Sequence, residues 1–142
     1  MKIFIAGKVG EEEVAREAMN MLSQAGHEIS FDWTTIPHLK PYDENSEASQ
    51  QAALLESRGV LESDALVLLA HDKGVGMYVE LGMAIASGKP IYVVGTGSSR
   101  TMFIYHPLVR RVGTISNLLN VLEKSNGQYS EKSRISESKS KT

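Results

Sequence analysis

Cysteine is absent from the 142 residues, which removes disulfides, thiolate zinc sites and cysteine nucleophiles at once. No apolar run approaches the roughly 20 residues of a membrane span. An excess of one charge is lacking too: 15 basic residues face 17 acidic ones, for a formal net charge of -2. That balance offers no surface for a nucleic-acid polymer or a membrane. Histidine occurs only as His27, His38, His71 and His106, and no two have the close helical spacing of a His-based metal motif. No metal or cofactor is expected. The opening "MKIFIAGKVG" has too short an apolar stretch for a signal peptide, and acidic "EEE" follows directly. It reads as the first strand of a cytoplasmic protein.

What is present alternates strand with helix. "KIFIA" (2–6) is a β-rich run ended by Gly7. The next segment sets Val14, Ala18, Met21, Leu22 and Ala25 at helical spacing, with Gly26 placed for a C-terminal cap. "HEISFDW" (27–33) reads as a second strand, and "TTIPHLKPYDEN" (34–45) as a long loop, a candidate lid. A helix over 46–62 leads to "ALVLLA" (65–70), a continuous apolar strand of the kind covered on both faces. A third helix is predicted over 78–87 with Gly88 as its cap, followed by the strand "PIYVVG", a short fifth strand within "RRVGTI", and a last helix in "SNLLNVLEK". This order predicts one α/β domain, residues 1–124: a mostly parallel sheet of about five strands, flavodoxin-like or Rossmann-like, with helices on both faces. Residues 125–142 are rich in Ser and Lys and are expected to be a disordered tail.

Open α/β sheets bind ligands outside the carboxyl ends of their strands. Three segments follow strand ends here: "GKVG" from Gly7, "HDKGVGMYVE" with Gly74 and Gly76, and "GTGSSR" with Ser98 and Ser99. None matches a phosphate-binding P-loop or a dinucleotide fingerprint. Glu80 is more informative. It sits between Val79 and Leu81, with Met83 and Ala84 where a helical salt-bridge partner would stand. It is either an exposed acid on a helix's first turn or a nucleophile aimed into a pocket. Trp33 is either a base-stacking ring or a core aromatic, and Tyr78 a packed helix residue.

"GVGMYVELGMAIASGKPIYVV" (74–94) resembles the signature of the nucleoside 2-deoxyribosyltransferase family and its relatives, the nucleoside 5'-monophosphate N-glycosidases. "ESDALVLLA" resembles the family's acid-headed strand and "KIFIAGKV" its opening turn. The resemblance implies a nucleoside or nucleotide substrate and a homo-oligomer. It implies that Glu80 attacks the anomeric carbon of a deoxyribose, which then passes to another base or to water. It implies that Asp64 is the second carboxylate. Phe4 stands where the family often carries a Tyr, for which Tyr78 is a candidate substitute. Asp72 is the candidate for the sugar hydroxyls, and Ser98 and Ser99 for a 5'-phosphate.

Overall fold

The computed structural model describes residues 1–95 and 100–125. Five strands, β1 (Lys2–Ala6), β2 (Glu28–Ile29), β3 (Ala65–Leu69), β4 (Ile91–Val94) and β5 (Val109–Gly113), form one sheet in the order β2-β1-β3-β4-β5. Every pairing is parallel. The connecting helices are α1 (Glu12–Gln24), α2 (Ser46–Glu62) and α3 (Gly76–Ala86), and residues 115–125 form a further helix, α4. Right-handed crossovers require α1, which leads from β1 outward to β2, to lie on one face. They send α2 and α3, which lead the other way across the sheet, to the opposite face. This is the flavodoxin-like order, and its switch point lies between β1 and β3.

The strand residues explain that placement. Ile3 to Ala6, Ala65 to Leu68 and Ile91 to Val93 are buried, as strands with helices above and below must be. Leu118 and Leu122 of α4 close the core with no exposed surface. Helices α1 and α3 end as the glycine positions predict. Gly26 and Gly88 have φ of +93° and +70°, and the next residues, His27 and Lys89, donate back to Leu22 and Ala84.

Four sequence expectations change. The buried stripe of α1 is Ala15, Ala18, Met19 and Leu22, not the set that includes Val14 and Ala25, both of which are exposed. Two apolar stripes of helical period overlap in that helix, and contact with β1 and β2 selects one of them. Strand β2 is two residues long rather than seven, because the chain leaves this sheet edge after Ser30 donates to Ile3. Trp33 opens a 3-10 turn, Trp33–Thr35, capped by the Asp32 carboxylate. Helix α3 begins at Gly76, so Glu80 lies in its second turn rather than its first. The segment read as a disordered tail lies outside the described residues from 126 onward. Among the described residues no helix is long and apolar enough to cross a membrane.

Candidate active site

The carboxyl ends of β1 and β3 face a cavity of about 550 Å³, a volume suited to a small organic ligand. Its floor and walls come from separate parts of the chain. The turn after β1 contributes Gly7 and Lys8, the 34–45 loop contributes His38 and Lys40, and the turn after β3 contributes Lys73 and Gly74. Helices α2 and α3 contribute Glu56 and Glu80.

Glu80 is only 8% exposed, and its Oε2 has no hydrogen-bond partner among the described residues. A buried, unpartnered carboxylate oxygen is costly and rare. Burial, reinforced by the charge of Glu56, pushes the Glu80 carboxyl up to about 9. Burial raises Glu56 as well. An exposed first-turn acid is therefore ruled out for Glu80, and the cavity holds a pair of acids that resists ionising twice.

Trp33 is buried, and its indole Nε1 donates to the Ile5 carbonyl at 2.7 Å. That bond locks the ring edge-on to β1 and turns its six-membered side toward Gly7. A Cβ at Gly7 would lie 3.2 Å from that ring, so the glycine lets the strand turn and the indole share one wall.

Gly7, Trp33, Gly74, Gly76 and Glu80 thus converge on one cavity. Asp64 does not. It precedes β3, at the amino end of the sheet, where its Oδ2 accepts the Lys2 amide at 2.7 Å. In an all-parallel sheet the amino end is opposite the cavity, and a side chain cannot span that distance. Asp72 is exposed and does not line the cavity. Tyr78 does not line it either, and its hydroxyl donates to the His71 carbonyl at 3.0 Å. Ser98 and Ser99 lie outside the described residues.

Glu56 was missed from the sequence, although the signal used for Glu80 is present. It follows Ala52, Ala53, Leu54 and Leu55 in α2, an acid in an apolar stretch. The lysine of "GKP" also gains a physical role. The Lys89 ammonium donates to the carbonyls of Leu61 and Ser63, satisfying the carboxyl end of α2.

No curated protein matches the chain. Among solved structures, the chain is similar to a 2-deoxyribosyltransferase from Bacillus psychrosaccharolyticus. The two share 18% identity with a TM-score of 0.66 over 84% of this chain and 91% of the other. It is also similar to the CMP N-glycosidase of Clostridium botulinum, at 17% identity and a TM-score of 0.59, over 87% of this chain and 99% of that one. At these identities the likeness establishes the fold. A sequence profile of the nucleoside 2-deoxyribosyltransferases matches residues 3–133, nearly the whole length, and on that match the chain belongs to the nucleoside 2-deoxyribosyltransferase family.

Proposed function

We propose that the protein cleaves the N-glycosidic bond of a 2'-deoxynucleoside, or of its 5'-monophosphate, with Glu80 as nucleophile, and passes the deoxyribosyl group to another base. The observation that carries this reading is the buried, unpartnered Oε2 of Glu80 in a cavity shared with Glu56. In the first step a Glu80 oxygen bonds to C1'. The C1'–N bond breaks and its electron pair goes to the base nitrogen, which takes a proton from Glu56. The two carboxyls share one proton, and positive charge building on the sugar favours the state with that proton on Glu56 and the anion on Glu80. In the second step an incoming base attacks C1', gives its N–H proton to Glu56, and the ester pair returns to Glu80. This is retaining, two-carboxylate chemistry. Burial raises the Glu56 carboxyl, which favours the protonated form that a proton donor needs.

A second reading is hydrolysis of a nucleoside 5'-monophosphate, with water as the acceptor. Its support is the cationic character of the cavity mouth. Lys8, Lys40 and Lys73 come from three loops, against the acid Glu12. Cations there, with acids at the floor, suit a substrate whose phosphate stays outside and whose sugar reaches Glu80.

Leu54 and Val79, 60% and 56% exposed on two helices that pack together, support a homo-oligomer formed through α2 and α3.

The test is incubation with a panel of deoxynucleosides and their 5'-monophosphates, with and without a free second base. A new nucleoside or nucleotide identifies transfer, and free base with sugar or sugar phosphate alone identifies hydrolysis. Mass spectrometry of the intact protein should find a sugar adduct on Glu80. An inactive protein with no adduct on any substrate sinks both readings.

A further inference from the structure

One wall of the cavity is a five-residue turn, 71–75, between the end of β3 and the start of α3. It carries Lys73, Gly74 and Val75 to the cavity. Among the described residues the sheet gives it no hydrogen bond. The last ladder bond on this side is Ala70 donating to Val94 at 2.9 Å, and everything after it leaves the sheet. A turn in that position is free to shift unless side chains fix it.

Among the described residues, three of the contacts that fix it meet at His71. The Lys73 amide donates to His71 Nδ1 at 3.0 Å, which closes the turn from inside. The Tyr78 hydroxyl reaches back from α3 to the His71 carbonyl at 3.0 Å, which ties the turn to the helix that carries Glu80. His71 Nε2 faces Glu11 Oε1 at 3.6 Å, which relates this turn to the one after β1. The turn's far end is closed by Tyr78 donating its amide to the Val75 carbonyl at 3.1 Å. Its middle is pressed against the core: a Cβ on Gly74 would collide with the buried Met77 side chain. His71 itself stays outside the cavity. With no surface on the cavity, it acts through the residues it holds, and its contribution is to geometry.

We propose that His71 is a positioning residue, which together with Tyr78 clamps the 71–75 turn so that Lys73 and Gly74 hold the substrate in line with Glu80. The claim rests on the reaction proposed above. It gives the Tyr78 hydroxyl a role at the back of the wall in place of a contact to the nucleophile. It also predicts which substitutes can work. The acceptor at Nδ1 receives the amide two residues on, the contact that an Asn side chain makes in an Asx turn. Asparagine therefore keeps the turn closed, and alanine does not.

The experiment compares the full-length protein with His71→Ala, His71→Asn and Tyr78→Phe. Misplacing a substrate by about an ångström costs on the order of 100-fold. His71→Ala is therefore expected to lose about 10- to 100-fold in kcat/KM on the best substrate of the panel. His71→Asn should stay within about threefold of wild type, and Tyr78→Phe should fall between the two. Hydrogen exchange at the Lys73 amide should speed by at least about tenfold in His71→Ala and stay slow in His71→Asn. A purely structural role would lower the melting temperature in both His71 variants and give no rescue by Asn. Equal activity in wild type and His71→Ala, or equal losses in the Ala and Asn variants, overturns the proposal, as does unchanged exchange at Lys73. If wild type turns over none of the panel, the proposed reaction falls on its own. The clamp is then judged by the Kd for 2'-deoxycytidine 5'-monophosphate, which His71→Ala should weaken about tenfold and His71→Asn should not. Equal Kd values in the two variants overturn it in that case.

Discussion

The two ends of the sheet treat their acids in opposite ways. At the amino end Asp64 is exposed, and its carboxylate is answered by the Lys2 amide at 2.7 Å. Nearby, Lys2 also pairs with Glu28 at 3.9 Å, and Lys89 satisfies the last carbonyls of α2. Charge there is spent on joining elements. At the carboxyl end Glu80 is buried with one oxygen unpartnered, and its neighbour in the cavity is another acid. At neutral pH that arrangement costs the fold stability. A polar group satisfied by its surroundings holds the fold together. One left wanting a partner is a candidate place for a ligand to supply it.

The sharpest way to break this contrast is Glu80→Gln. The variant should lose at least about 10³-fold in kcat while its Kd for a nucleotide changes little, since only the covalent step is removed. Turnover within tenfold of wild type, measured by release of free base, would place the nucleophile elsewhere. Glu56→Gln comes next, with a loss of about 10²- to 10³-fold, the usual worth of a positioned acid–base group. It should also flatten the pH–rate profile, and an unchanged profile would remove Glu56 from proton transfer.

The third test reads stability. The folded value of Glu80, about 9, lies above its ordinary 4.5. The unfolded chain therefore gives up this proton first as pH rises, and the contribution to stability is present below about pH 4.5 and lost by about pH 9. Glu80→Gln should match wild type near pH 4 and exceed it increasingly above, by up to about 3 kcal/mol at pH 7. Urea denaturation at pH 4, 7 and 9 measures this, and a gain that does not grow with pH counts against a buried acid. Asp64→Ala gives the smallest effect. It should cost about 1 kcal/mol of stability, one hydrogen bond's worth, and leave kcat/KM within about twofold. A large loss of activity would put Asp64 back in the chemistry and erase the distinction between the two ends.

Much of the fold was legible because its signals are local. The apolar run at 65–69, the glycines at 26 and 88, and the alternation of strand with helix each act within one or two turns of chain. Length of pairing was not legible. "HEISFDW" has the composition of a strand, yet only Glu28 and Ile29 pair, because an edge strand has one neighbour and the chain departs toward the Trp33 turn. The candidate site divides similarly. Glu80 stood out as an acid in an apolar helix, and the same mark at Glu56 was passed over. Asp64 was carried over from the resemblance, and an acid that precedes a strand of a parallel sheet lies at the end away from the cavity.

By itself, then, the sequence determined the class of fold, the cysteine-free chemistry and the apolar setting of Glu80, all of which depend on residue type and short-range period. Tertiary structure alone decided that Glu56 meets Glu80 in one cavity, that Trp33 is pinned to Ile5, and that His71 faces Glu11 across two turns. Those pairings join residues far apart in the chain. Their geometry follows from how parallel strands and crossing helices pack, and no local stretch of residues encodes it.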